Sequence, residues 1–485
     1  MSTDRDVDVV VVGSGAAGLA AALSARQNGA RSVLVAEAED VVGGSSRLSG
    51  GLMMGAGTRY QRALGIIDDA DALFHDYMTL NHWDVEAGAA RRLADFAGPA
   101  VEWLGDLGVE FYDQMVYGGD ERVPRVHVPI GRGQAVINIL HSACRRAGVE
   151  VALSRRVDRL LVEDGAVVGV AVAEDTITAG AVVLATGGFG NEPAKLAKYY
   201  PSAAATGWTW YIGAGGSRGD ALDLTGQVGA QILGHDRGLR LLHANFARIY
   251  EAYLPGWIVI VNREGRRFFN ETAPYGITDG LLRRQGDVAY AVFDSAALTA
   301  ATAAGVARYK QQIPGSSKKQ SPHWNDDVIT RMAAAGKVHR TDTIEELARA
   351  LGVPAGELGG TIARHNAQVA VGEDADYLKD PQFLEPIAVP PFYGAELRPA
   401  TVCFTACGPR IDRDARVLHR TGRAVPGLLA AGECTGGIIG PAYVGSGNSY
   451  ANCVVFGRIA GATAGAAAQA VAPEVVAPGW QPYDS

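Results

Sequence analysis

Cysteine is scarce in this chain, with five residues at 144, 403, 407, 434 and 453, an odd number without a Cys-x-x-Cys pair. That composition excludes a disulfide framework and a thiolate metal or iron–sulfur site built by the chain alone, and it suits a reducing compartment. No metal is expected. Long apolar runs are missing too. Residues 181–185 and 454–468 are short or broken by Gly and Arg, well under the ~20 residues of a spanning helix. No basic-then-apolar leader precedes the first strand, so the expected location is the cytoplasm, with no integral membrane segment. Positive charge is in deficit, 44 Lys and Arg against 52 Asp and Glu, which leaves a net −8. A nucleic acid or an anionic lipid surface is therefore not an expected partner.

What the 485 residues do contain is glycine, 62 of them, in short clusters between apolar runs. The length predicts two or three domains rather than one core. The opening valines at residues 7–12 run into Gly13-Ser14-Gly15-Ala16-Ala17-Gly18 and then a small-residue stretch to residue 28. This reads as strand, tight turn and helix. A second strand at residues 32–36 ends on Glu37, where an acid reaches ribose hydroxyls about 20 residues after the glycines. Gly13 permits the turn, Gly15 admits pyrophosphate to the backbone at Ala16 and Ala17, and Gly18 lets helix and strand pack closely. Gly43, Gly44, Ser45, Ser46, Ser49, Gly50 and Gly51 follow in a stretch too glycine-rich for a helix interior, so it is expected to be a loop lining the same ligand.

Charged helical sequence spans residues 68–107, and alternating strands at 149–153, 157–163 and 166–173 read as a β-meander. A buried run at 181–185 then stops at Thr186, Gly187 and Gly188, a second wall for the dinucleotide. The pattern becomes irregular from about residue 236 to 397, including a lysine-rich stretch at 310–319 expected to be a solvated loop. Order returns with a strand at 427–431, Gly432, Glu433, a glycine-rich loop and a last helix over 448–470. The expected fold is α/β, a Rossmann-like nucleotide domain with a meander (residues 1–235 and 398–485) interrupted by an α+β substrate or cap domain (236–397).

These pieces together resemble the fumarate reductase/succinate dehydrogenase flavoprotein superfamily. The likeness is carried by Gly13 to Gly18 with Glu37, the residues around Gly43 to Gly51, Thr186 to Phe189, Val261-Asn262-Arg263-Glu264-Gly265-Arg266-Arg267-Phe268-Phe269-Asn270-Glu271, and Ala431-Gly432-Glu433. The resemblance implies bound FAD, with Val157, Asn191 and Asp220 also at the cofactor, Glu433 on the ribityl chain, and Asn448 and Ser449 turning a helix N-terminus toward the flavin edge. Covalent attachment would need a histidine near Gly44, so noncovalent FAD is expected.

The chain departs from the reductases where they handle a dicarboxylate. Tyr275 stands in place of their catalytic arginine, Tyr443 in place of a carboxylate-binding arginine, and Val402, Cys403 and Phe404 in place of paired histidines. At Asn270-Glu271-Thr272-Ala273-Pro274-Tyr275 and Tyr443-Val444-Gly445-Ser446-Gly447 it is instead similar to 3-ketosteroid Δ1-dehydrogenases. That likeness implies a FAD-dependent desaturase acting on the CH–CH bond beside the carbonyl of a cyclic ketone. Tyr275 would take the α-proton, helped by Tyr112 or Tyr117, while Tyr443 and the Gly447 N–H would hold the ketone oxygen. The chemistry requires such a hole, because the α-proton is too weakly acidic unless the developing enolate is stabilised. An external electron acceptor completes turnover.

A small ring ketone such as 4-oxocyclohexanecarboxylate or cyclohexanone would use the same atoms, with Arg267 a candidate for a carboxylate. An enone or enoate reductase, and an electron-transfer subunit of a larger complex, are the other readings. Tyr275 and Tyr443 as packed aromatics, the cysteines as core residues and His127 as a strand histidine are the plain structural readings.

Overall fold

The computed structural model describes residues 5–246, 254–304, 314 and 324–470. The lysine-rich stretch expected as a solvated loop lies, but for residue 314, outside them. Val7–Val12 forms the middle of the main sheet, in the order Arg416–Leu418, Ala424–Ala430, Asp175–Leu184, Val7–Val12, Val33–Ala36, Glu150–Ala152. Its neighbours on both sides are parallel to it. A valine run without polar alternation is what a strand covered on both faces requires.

The helix Ala16–Gln27 is buried from Ala16 to Ala25, because the last helix, Asn448–Ala470, lies directly on it. Gly457, Gly461 and Gly465 form the contact stripe: a Cβ on them would stand 2.4, 2.1 and 2.6 Å from the carbonyl oxygens of Ala17, Ala21 and Ala25. Residues four apart share one helix face, so this spacing lets two backbones touch along several turns.

Two expectations need correction. The segment read as the first strand of the meander is Glu150–Ala152, which pairs parallel with Val33–Ala36 and extends the main sheet. The meander consists of Arg159–Glu163, Ala166–Val172 and the first half of Asp175–Leu184. Alternation marks a strand but not its partner. The glycine-rich stretch after Glu37 also contains a helical turn, Gly44–Leu48. Gly43 takes the left-handed turn at φ 118°, so the residues from Ser45 onward are free to wind one turn.

A second, antiparallel sheet has the order Gly238–His243, Phe392–Thr405, Ala289–Asp294, Val259–Val261, with Trp210–Tyr211 and His339–Thr341 also pairing with Phe392–Thr405. That 14-residue strand crosses the sheet and ends at Thr405, whose N–H and hydroxyl both donate to Glu433. It thus carries the second sheet to the nucleotide side.

Candidate active site

A cleft open to solvent is lined by residues where Val7–Val12, Val33–Ala36 and Asp175–Leu184 end, the place where ligands bind in open parallel sheets. Gly13, Gly15, Ala16 and Ala17 line it at the first turn, Glu37 at the second strand, and Gly44, Ser45 and Ser46 on the helical turn. Val157, Thr186, Gly187, Asp220 and Glu433 supply other walls. Gly18, Gly43, Ser49, Gly50, Gly51, Gly188, Asn191, Gly432, Asn448 and Ser449 stand outside this lining. Some of these shape the cleft from behind. Ser49 Oγ donates to Ser46 O and accepts from Gly51 N–H, Asn191 donates to Gly215 O, and Gly188 leaves room for the Glu433 carboxylate.

Ser14, Glu39, Arg155, Gly216 and Ser217 also line the cleft, although sequence reasoning did not select them. Ser14 N–H and Oγ–H donate to Glu37 Oε2 at 2.8 and 2.5 Å, and the Glu39 N–H donates to Glu37 Oε1 at 2.8 Å. A carboxylate offers about four acceptor positions, so three are filled and one remains for a ribose hydroxyl. Ser14 Oγ also accepts from Gly43 N–H at 3.0 Å, which ties the fingerprint turn to the serine-rich turn. Burial pushes the Glu433 carboxyl up to about 7, against the donors of Thr405.

The helix Tyr275–Arg283 begins on Tyr275. Its phenol lies 2.5 Å from Ser446 Oγ, and its ring centroid is 6.2 Å from that of Tyr443. Tyr443 packs on Phe404 at 4.9 Å and its phenol oxygen accepts from Ser449 N–H at 3.4 Å. Burial holds that phenol above the ordinary tyrosine range. Leu239, Leu241, Phe404, Ala406 and Ile439 form the apolar wall against which Tyr275, Tyr443 and Cys403 pack.

Gly447, at φ 89°, approaches so closely that a Cβ would stand 2.6 Å from Met54 N. Tyr275, Tyr443 and Gly447 therefore come together, with Ser446 among them. Tyr117 is half exposed and precedes Gly118, whose carbonyl accepts from Ser446 N–H at 2.9 Å. Tyr112 lies farther along that segment, its N–H bonded to Val128 O.

Arg267 is not placed as a substrate ligand. Its guanidinium is bidentate to Glu271, at 2.8 and 2.8 Å, and pairs with Asp374 at 2.8 Å. Arg240 is committed in the same way to Asp279 and Asp287. His127 is an interior histidine: Met53 O can only accept, so Nδ1 donates to it at 3.3 Å and Nε2 accepts from Thr58 at 2.8 Å. Cys144, Cys407 and Cys434 are buried core thiols, while half-buried Cys453 reaches the cleft. No helix among the described residues is long and apolar enough to cross a membrane.

The FAD binding domain family matches residues 8–450, nearly the whole of this arrangement. The chain belongs to the fumarate reductase/succinate dehydrogenase flavoprotein superfamily. It is 30% identical over 470 residues to a fumarate reductase (cytochrome) of Shewanella frigidimarina, covering 94% of this chain and 76% of that one. A vinyl phenol reductase of Lactiplantibacillus plantarum is 29% identical over 489 residues, covering 94% and 95%. Among solved structures, 3-ketosteroid-Δ4-(5α)-dehydrogenase of Rhodococcus jostii RHA1 is similar with a TM-score of 0.77 and 25% identity, over 96% of this chain and 98% of that one.

The superfamily member is an FAD-dependent oxidoreductase, and its own residues fit the cofactor. Thr186 Oγ1, both amide atoms of Asn448 and Ser449 Oγ are buried without a hydrogen-bond partner among the described residues. An unmade bond at a buried polar atom costs about 1–3 kcal/mol, and Thr186, which lines the cleft, would recover it on a bound cofactor. The last helix starts at Asn448, and its N-terminus favours negative charge.

Proposed function

We propose that this flavoenzyme desaturates a neutral ring ketone at the bond α,β to its carbonyl. One observation carries the reading: the hydroxyls of Tyr275, Ser446 and Tyr443 gather on an apolar wall, while Arg240 and Arg267 are spent on buried carboxylates. Phenols on an apolar surface suit a carbonyl oxygen; a dicarboxylate needs cations.

In this reading the Tyr443 phenol and the Gly447 N–H hold the ketone oxygen and stabilise the enolate as the α-proton leaves. The proton goes to Tyr275 as its phenolate, stabilised by a hydrogen bond donated from the Ser446 hydroxyl 2.5 Å away, and the step leaves Tyr275 a neutral phenol. An unassisted phenol, with a pKa of about 10, is a poor base near neutrality, and the second hydroxyl supplies the coupling. Bound FAD supplies the acceptor for the β-hydrogen with its electron pair. The segment 236–397 supplies the cap that presents Tyr275. Gly44 offers no nucleophile for a covalent flavin link, so FAD is held noncovalently and an external acceptor reoxidises it.

The reductases among the relatives favour a second reading, the reverse reaction on an enone, with the same hydroxyl pair delivering the proton. Anaerobic mixing of the yellow protein with steroids and substituted cyclohexanones separates the two. One ketone should bleach the oxidised flavin, and Tyr275→Phe should slow it by about 10²–10⁴-fold, the usual worth of a general base. Bleaching by no ketone, with reoxidation of the reduced protein by an enone, would reverse the assigned direction.

A further inference from the structure

A buried carboxylate, Glu121, touches neither member of the hydroxyl pair but bonds the backbone that packs against it. Glu121 is buried, 6% exposed. Its Oε1 accepts the Gly118 N–H at 2.9 Å and its Oε2 accepts the Gly119 N–H at 2.6 Å. Two successive backbone donors bonded to the two oxygens of one carboxyl group fix the turn that contains them, because both bonds are short and directional.

That turn lies on the strip carrying Tyr443 and Ser446. Gly119 bridges Gly445 in antiparallel fashion, and Gly118 O accepts the Ser446 N–H at 2.9 Å. The fit leaves no slack: a Cβ on Gly119 would stand 2.1 Å from Val444 O, and one on Gly118 2.5 Å from Ser446 O. On its other side Ser446 is followed by Gly447, whose carbonyl accepts from Met54 N–H at 3.2 Å. The backbone of Ser446 is therefore pinned from two sides, and its Oγ reaches Tyr275 at 2.5 Å. Arg125, the nearby cation, is bonded to Asp68 and Asp76 and so does not draw the Glu121 carboxylate away.

We propose that Glu121 is a positioning residue for the Tyr275–Ser446 pair: it fixes the Gly118–Gly119 turn, the turn fixes Ser446, and Ser446 holds the Tyr275 phenol in register. The inference rests on the role given to that pair above. It makes Glu121 a determinant of rate rather than of cofactor affinity, since Glu121 does not line the cofactor cleft.

A double-mutant cycle tests it, using Glu121→Ala, Glu121→Gln, Ser446→Ala and the combined variants. The readouts are the anaerobic flavin-bleaching rate at saturating ketone, the ketone Kd and the FAD content. Glu121→Ala should slow bleaching at saturating ketone about 10- to 100-fold, the cost of a misplaced catalytic group, with FAD content unchanged. In the Ser446→Ala background the same substitution should add no further loss, because the atom it positions is gone. Glu121→Gln keeps one carbonyl acceptor and should recover part of the rate; it also carries the cycle if the alanine variant does not fold. An equal loss in both backgrounds, or an unchanged rate in Glu121→Ala, would overturn the proposal. If no ketone bleaches the wild type, or Tyr275→Phe reacts as fast as wild type, the functional reading fails instead. The cycle is then read on enone reoxidation of the reduced protein, with the same two outcomes deciding it.

Discussion

Arg267→Met should destabilise the region around the second sheet rather than change substrate choice. The guanidinium sits in a closed set of four charges: it is bidentate to Glu271 and paired with Asp374, while Lys379 Nζ lies 3.3 Å from Glu271 Oε2 and donates to Ile258 O at 2.9 Å. The four side chains are 6, 0, 0 and 0% exposed, Arg267 first. Burial alone would raise the Glu271 carboxyl, but Lys379 and Arg267 outweigh it and hold it below the ordinary range. Methionine has similar bulk and no charge, so it leaves two buried carboxylates sharing one ammonium. Breaking a buried pair this way costs about 3–5 kcal/mol. Urea unfolding followed by tryptophan fluorescence reads the effect, since Trp257 and Trp324 lie in the adjoining core. The deficit should shrink on acidification, because a protonated Glu271 no longer needs its cation. A variant within about 1 kcal/mol of wild type, with binding lost only for carboxylated cyclohexanones, would refute the network and return Arg267 to the substrate.

If the proposed reading holds, Tyr443→Phe removes one oxyanion donor and should lower the bleaching rate by about 10²–10³-fold in stopped flow while FAD content stays constant; a normal rate would remove Tyr443 from the carbonyl. Gly18→Ala places a Cβ 1.9 Å from Gly13 O, so the fingerprint turn must shift, and the purified variant should be colourless; full flavin content would contradict the turn geometry. His127 is held down to about 4 by burial, from an ordinary 6.5. Between those values the unfolded chain binds the proton and the folded chain does not, so stability is lost as the pH is lowered through that window, by about 3 kcal/mol over its full span. Urea unfolding at both ends of the window should show a smaller fall in His127→Gln, with the remainder partly from His365, also held at about 4; an identical fall would show that His127 protonates while folded.

The parts of this molecule legible in the sequence are those whose cause is local. Val7–Val12 and Asn448–Ala470 can be bounded to the residue, one by an uninterrupted valine run and the other by small residues at helical spacing. Glu37 is legible because its distance from the glycines is set by one helix and one strand. The strand Glu150–Ala152 has no such signal for its partner, which lies over 100 residues earlier in the sequence and is chosen by sheet order. Arg267 shows the same limit in a side chain. Its spacing to Glu271 is i,i+4 and visible, but Asp374 is 107 residues away, and only that second acid shows the guanidinium to be fully spent. Ser446 and Glu121 follow from this logic. A serine between two glycines reads as a turn residue until Tyr275, 171 positions earlier, is found against its hydroxyl. A glutamate three residues past Gly118 reads as surface charge until the turn folds back over it. The candidate site is thus built by placing locally legible backbone pieces together and then joining them with polar groups, Ser446 and Glu121 among them, whose partners no periodicity announces.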